Sequence, residues 1–324
     1  MGEILFNYQA DPVNYVKSAI SVYSFMAERV KLHTGGFKGK VVLEIGSGFQ
    51  LPHGGLNLVL ALREGAEQCF GIDITHPCDV CARPDRVEFW KTAVEYLGMI
   101  APGGLKNDGR VRFSSTDVLW FDNFYSTITL LQMSASKMYF KNDMFDLIIS
   151  NAVMEHVKNP KNVLSEIYRV LDWGGFAYLQ WNPFSGFEMG GHDLGMPFYF
   201  PWAHLRLSEN EHIEKLGFVF SNEAAYTTAF PEAHTSTAER AREYAKDPGK
   251  FRNEILTDLN KMRIKELKSY AEECGFEIIY EEYFIKDDHR KYLTESIRKE
   301  LCDYTEDELL AQLHAIVLKK IKCG

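Results

Sequence analysis

The residues best suited to chemistry stand at the ends of apolar runs. Glu44-x-Gly46-x-Gly48 closes VVLEI, Asp73 and Ile74 close CFGIDI, and Asp117 and Val118 close RVRFSSTDV. Asn151, Ala152, Glu155 and His156 follow FDLIIS. Glycines after a buried run let the backbone turn tightly and approach a ligand. A carboxylate at a strand end, such as Asp73, accepts hydrogen bonds from the two hydroxyls of a ribose. Asp117 offers the same kind of acceptor to an exocyclic amine such as that of adenine, with Val118 beside it for ring packing. Each signal alone is common in turns and caps. The ordered set, at three successive strand ends, points to a nucleoside-type ligand.

A second set of residues suits proton transfer. Histidine is the usual group for taking a proton from an oxygen nucleophile. His156 follows the fourth apolar run. His192, next to Asp193 in GGHD, and His204 lie in the aromatic, glycine-rich stretch 181–209. His192 is the first expectation for a base and His156 the second, with Glu155, Trp181 and His204 facing a substrate. HPCDVC offers His76, Cys78 and Cys81 as three zinc ligands. No second cysteine pair follows at the usual spacing, so a reduced loop is the better reading and no metal is expected.

The elements that must position these groups follow from periodicity. Val16, Ile20, Tyr23, Ala27 and Val30 recur at steps of three and four, which predicts an amphipathic helix over 13–32. VVLEI (41–45), CFGIDI (69–74), RVRFSSTDV (110–118), FDLIISNAV (145–153) and FAYLQW (176–181) read as strands, the nearly continuous apolar run VVLEI as one buried on both faces. Residues 56–65 and 86–98 read as helices between them. A third helix starts at the cap Asn159 with Pro160 in its first turn, and Gly174-Gly175 is expected to stop it. Late in the chain, 255–274 reads as a helix ending at Gly275, and 276–285 and 313–321 as an antiparallel strand pair. This alternation implies a doubly wound α/β sheet. Residues 119–143 and 184–253 fit no repeat unit and are expected as insertions. The second is read as a cap or substrate lid over a single domain, 1–324, whose core is 14–183 and 254–324.

Bulk properties narrow the partners. The chain has 324 residues, 46% apolar and 25% charged, with a net charge of -9, which suits a folded domain with an acidic surface. That charge disfavours a phosphate backbone, so no nucleic acid partner is expected. No run reaches the ~18 apolar residues of a membrane span, so no membrane is expected either. The start, MGEILFNYQA, lacks the pattern of a signal peptide, and Phe6 breaks the myristoylation motif after Gly2. Six scattered cysteines suit a reducing, cytoplasmic setting. Homodimer formation stays open.

VLEIGSG, GIDI, TDV, FDLIISNAVMEHV and VLSEIYRVLDWGGFAYL together resemble the ordered motifs of class I S-adenosylmethionine-dependent methyltransferases, in their small-molecule branch. The resemblance covers about residues 35–183. It implies a Rossmann-like, doubly wound seven-stranded mixed sheet, last strand antiparallel, with helices on both faces. It also implies S-adenosyl-L-methionine as cofactor. Glu44, Gly46, Ser47 and Gly48 would turn around its methionine part, Asp73 with Ile74 would hold the ribose, and Asp117 with Val118 the adenine. Asn151 and Ala152 would line the methyl-donor pocket. The chain departs from the family at Gln50, where a third glycine is common, and in the extra LPHGG before the next helix.

A nicotinamide dehydrogenase would need a glycine at position 51 for close helix–strand packing, and Leu51 stands there. The Asn/Asp-Pro-Pro-Tyr turn of base and amide methyltransferases is replaced by Ser150-Asn151-Ala152-Val153. The expected activity is therefore methylation of a small-molecule acceptor at oxygen, on a sugar or natural-product hydroxyl. The alternatives are an RNA or protein methyltransferase and a non-catalytic nucleoside-binding regulator.

Overall fold

The structure, a computed structural model, describes residues 12–48, 51, 53–75, 89, 92–93, 112–113, 119–120, 128–192, 196–222, 246–247 and 258–321. Among the described residues, nine strands form one sheet. They are β1 (Val41–Ile45), β2 (Gln68–Asp73), β3 (Arg112–Phe113), β4 (Leu119–Trp120), β5 (Ile128–Gln132), β6 (Phe145–Asn151), β7 (Leu171–Trp181), β8 (Phe276–Ile285) and β9 (Ala311–Lys320). Their order is β3-β4-β5-β2-β1-β6-β7-β9-β8. Strands β5, β2, β1, β6 and β7 run parallel, and β9 is antiparallel to both β7 and β8. The seven strands from β5 to β8 are thus the expected mixed sheet, with β9 as the antiparallel last strand. Strand order reverses at β1, which leaves a crevice beyond the carboxyl ends of β1 and β6.

The third parallel strand is not where the sequence reading puts it. β5 occupies that position, pairing Ile128–Gln132 with Cys69–Asp73, although it falls inside the stretch 119–143 expected as an insertion. Residues 112–113 and 119–120 make a short antiparallel ladder at the sheet edge instead. The reason is composition. A parallel strand covered on both faces needs a near-continuous apolar run. ITLLQ supplies one, with Ile128 and Leu130 buried, while RVRFSSTDV interleaves arginines and hydroxyl residues. Asp117 and Val118 lie outside the described residues.

Alternation along the strands sorts side chains to two faces. Val42, Leu147, Ile149, Tyr178 and Val317 pack with Tyr15, Val16, Ile20 and Val30 of the helix Pro12–Thr34 and with the helix Leu56–Arg63. Leu43, Ile148, Ala177, Leu179 and Ile316 pack with Val163, Leu164 and Ile167 of the helix Pro160–Val170 and with Leu267 and Ala271 of the helix Ile264–Glu273. Helices therefore cover both faces.

Asn159 caps the helix Pro160–Val170 through Oδ1, which accepts from the Asn162 backbone N–H at 3.1 Å. Gly174-Gly175 does not stop this helix. It ends at Val170 and passes directly into β7, where the glycines sit at a register shift against β6. Such a bulge accommodates extra residues without ending the pairing.

A third core forms where Phe187 and Trp202, from the expected cap, pack with Leu293, Ile297, Leu309 and Leu310. Trp202 Nε1 donates to the carbonyls of Ser185 and Leu309, which ties this part of 184–253 to the segment before β9. Among the described residues, no helix is long and apolar enough to cross a membrane.

Candidate active site

The crevice holds a cavity of about 1520 Å³. A pocket for one small ligand measures roughly 300–1,000 Å³, so this one has room for two molecules side by side. One end is built from strand termini. Gly46 turns at φ 71, and a Cβ there would lie 2.2 Å from the Val153 side chain. The turn is tied to the neighbouring strand by the Gly46 and Ser47 N–H groups, which both donate to the Ile72 carbonyl. Asp73, buried at the end of β2, accepts from the Gly48 N–H at 2.8 Å and from the Thr75 N–H at 2.9 Å. Each carboxylate oxygen keeps further acceptor capacity for a ligand hydroxyl.

The surplus LPHGG is explained by its return. Leu51 N–H bonds the Gly48 carbonyl, and Gly55 N–H bonds the Ser47 carbonyl. The chain leaves the turn and comes back to it before the next helix begins. That closure needs Gly54, because a Cβ there would lie 2.1 Å from the Gly48 oxygen. His53, on this loop, hydrogen-bonds through Nδ1 to the Tyr15 hydroxyl at 2.7 Å and lines the cavity. Phe49, Gln50 and Pro52 lie outside the described residues.

Glu44 lies beneath the turn. Its Oε1 accepts from Asn57 at 2.6 Å, and its Oε2 has no hydrogen-bond partner among the described residues. Burial pushes its carboxyl up to about 7. Burial, and then the Glu44 charge, hold the Tyr23 phenol well above its ordinary range.

The other end is assembled from loops. Asn151 Oδ1 accepts from Gln180 at 2.9 Å, and Ala152 turns at φ 54 with its N–H on the Gln180 carbonyl. The chain then passes Glu155 and His156. His156 is on the cavity wall, with Nδ1 2.8 Å from the Asp258 carboxylate. Glu155 is buried behind it. Its Oε1 accepts from the Asn182 N–H, and burial pushes its carboxyl up to about 8. His192, at φ 50, stands against His156 with ring centroids 5.2 Å apart. Asn260 fastens this end. Its side chain donates to the carbonyls of Met154 and Val157, and its N–H donates to the carbonyl of Glu155.

Of the residues expected at the site, the structure brings Gly46, Ser47, Gly48, Asp73, Ile74, Asn151, Ala152 and His156 onto the cavity. Glu44, Glu155 and His192 stand behind its wall. Two of the expected substrate residues lie elsewhere. Trp181 is fully buried between β7 and β9, where its Nε1 donates to His314 Nδ1 at 3.0 Å. His204 holds the Phe184 carbonyl at 2.8 Å and packs under Gly191, where a Cβ would lie 2.8 Å from its ring. It supports the turn that carries His192. Asp193, His76, Cys78 and Cys81 lie outside the described residues.

Sequence reasoning missed several wall residues. Tyr15, Ala19, Val22 and Tyr23 present one face of the first helix to the cavity, and their spacing is that of a helix face. Met133 to Ala135 follow β5, with the Met133 N–H on the Asp73 carbonyl. Gln180, Asn182, Gln312 and the ion pair of Glu188 with Lys286, 2.6 Å, add polar groups near the acceptor end.

Residues 112–179 match a family model described as a methyltransferase domain. An uncharacterized methyltransferase of Mycolicibacterium paratuberculosis is 30% identical over 112 residues, which is 34% of this chain and 39% of that protein. Another, from Mycolicibacterium vanbaalenii, is 34% identical over 71 residues, 22% of this chain and 28% of that one. The chain thus spans about two fifths or less of the curated relatives it matches. An S-adenosylmethionine-dependent methyltransferase structure from Mesorhizobium loti aligns over 92% of this chain and 97% of its own, at 13% identity and a TM-score of 0.44. The matched segment thus resembles a methyltransferase domain, and it lies within a doubly wound mixed sheet.

Proposed function

We propose that this chain transfers the methyl group of S-adenosyl-L-methionine to an oxygen of a small-molecule acceptor. One observation carries the reading: a single cavity joins the Gly46–Gly48 turn and Asp73 at one end to His156 at the other. Glu44, Gly46, Ser47 and Gly48 surround the methionine part, Asp73 and Ile74 take the ribose, and Asn151 and Ala152 border the methyl group. The adenine goes to Met133–Ala135, which occupy the third strand end where Asp117 and Val118 were expected.

Methyl transfer from a sulfonium needs alignment above all, and a shared cavity supplies it. The acceptor hydroxyl must also lose a proton. His156 takes it at Nε2, with Asp258 behind Nδ1 to orient the ring, and His192 supports His156 from the side. This exchanges the expected ranking of the two histidines, because His156 is the one on the wall. Polar side chains at 180, 182 and 312 and the Glu188–Lys286 pair suit a polyhydroxylated acceptor such as a sugar or natural product. A net charge of -9 favours a neutral or cationic acceptor over a polynucleotide, in a cytoplasmic setting.

Calorimetry with S-adenosylmethionine and with NAD tests the cofactor. Binding of NAD alone sinks the reading. Mass analysis of a panel of hydroxyl acceptors after incubation with the cofactor tests the reaction, and a gain of one methyl on nitrogen or carbon acceptors only would move the assignment away from oxygen.

A further inference from the structure

Glu155, His156 and His192 each place one ligating atom within 4.8 Å of the other two. The set is two imidazoles and one carboxylate. It is the composition of three-ligand zinc sites that keep a position open, and of facial triads for other divalent transition metals. A second observation points to a ligand. Glu155 is 2% exposed, and its Oε2 is buried without a hydrogen-bond partner among the described residues. A buried carboxylate oxygen with nothing to accept from carries a desolvation cost that a cation offsets.

The surroundings match a metal site as well. His156 Nδ1 lies 2.8 Å from the Asp258 carboxylate but off hydrogen-bond geometry, so a turn of the ring that aims Nε2 at the ion lets Asp258 orient it. Asn260 ties the Met154–Val157 turn to the segment that carries Asp258. We propose that Glu155, His156 and His192 form a binding site for one divalent transition-metal ion of the zinc class, with an open coordination position toward the acceptor end of the cavity. Zinc–ligand bonds of about 2.0–2.1 Å require ligating atoms that lie within 4.8 Å of one another to close further on the ion. Binding itself needs only this cluster. Its consequence rests on the methyl-transfer reading: ion and proton compete for the same imidazole nitrogen, so with the ion bound the acceptor hydroxyl is held by the metal, its proton passes to solvent water, and the O–C bond forms as the sulfonium C–S bond breaks.

The test is equilibrium dialysis of the full chain, without S-adenosylmethionine, against Zn²⁺, and against Co²⁺ with its visible ligand-field bands recorded. One equivalent bound per chain is expected, with nitrogen-and-oxygen rather than thiolate features in the cobalt spectrum. Glu155→Gln and His192→Asn should each weaken binding at least about tenfold, by loss of a ligand. His192→Asn is the deciding variant, because asparagine tolerates the positive φ at 192 and thermal unfolding can confirm the fold. Cys78→Ser should change nothing. Failure to bind either ion, unchanged binding in a folded His192→Asn chain, or loss of binding in Cys78→Ser overturns the proposal. None of these outcomes bears on cofactor calorimetry, so the two readings fail separately.

Discussion

The two ends of the cavity are made in different ways. The cofactor end is backbone. Two glycine turns and one aspartate are held by N–H groups at adjacent strand ends, and the turn and the aspartate come from the neighbouring strands β1 and β2. The acceptor end is side chains. Glu155 and His156 come from the loop after β6, His192 from the turn after Phe184, and Asp258 from a segment about a hundred residues after His156. Backbone turns are specified locally, by which residues lack a Cβ. Side-chain clusters are specified by docking, here by Asn260 on the Met154–Val157 turn and by His204 under Gly191. The first end can be shared by many chains with one cofactor, and the second is free to differ with the acceptor.

Changes at the two ends should therefore separate in measurement. His156→Ala should give the largest effect, a fall in kcat of about 10²–10⁴-fold, the usual range for a lost general base. Calorimetric affinity for S-adenosylmethionine should stay within twofold. A parallel loss of cofactor binding would show that the ends are not independent.

Gly46→Ala should do the reverse. The new Cβ meets Val153 at 2.2 Å on a backbone at φ 71. Left-handed strain and overpacking together cost about 2–5 kcal/mol. Urea unfolding reads that loss, and calorimetry should show cofactor binding reduced beyond detection. A variant with wild-type stability and affinity would mean that the turn does not hold the cofactor.

The same division explains what the sequence made legible. Glu44, Gly46, Gly48 and Asp73 stand at the ends of short apolar runs, and strand ends are readable from hydropathy alone. The misplaced third strand shows the limit. RVRFSSTDV has the family-like ending Thr-Asp-Val, while ITLLQ has the apolar continuity that burial on two faces demands, and burial decided the register. Trp181 was expected at the substrate because it ends a strand. Its indole instead faces β9, where only knowledge of the partner strand reveals His314. The Glu155–His156–His192 cluster has no periodicity, because its members meet through the fold of 184–206 onto 293–310. The first helix was readable as amphipathic, but which of its residues face a ligand depended on where the helix docks.

Glu44 sharpens the comparison from the cofactor end through pH. Its folded carboxyl is pushed up to about 7 by burial, against an ordinary value near 4.5. The folded protein therefore holds a proton that the unfolded chain releases. Stability from this group is full below about pH 4.5, declines as pH rises, and is lost above about 7. Glu44→Gln keeps the hydrogen bond from Asn57 and never ionises. Urea unfolding of the cofactor-free protein should show no difference at pH 4 and a gain on the order of 3 kcal/mol for the variant at pH 8. Cofactor affinity should fall, since the buried charge is lost. A variant no more stable at pH 8 would mean that the carboxylate is solvated or paired in solution.

Asp258→Asn is the smallest of these effects and the finest probe of the acceptor end. The carboxylate touches His156 Nδ1 but is 59% exposed, so water already screens much of its charge. Exposed ion pairs contribute about 0.2–1 kcal/mol, which sets a fall in kcat of roughly fivefold or less. KM for the acceptor and affinity for the cofactor should hold, because Asn keeps the shape of the side chain. A change in KM with kcat intact would place Asp258 on the acceptor rather than behind the histidine. A change larger than tenfold would mean that the pair is shielded from solvent in the working complex, which happens when acceptor and cofactor together fill the cavity and expel the water that screens it.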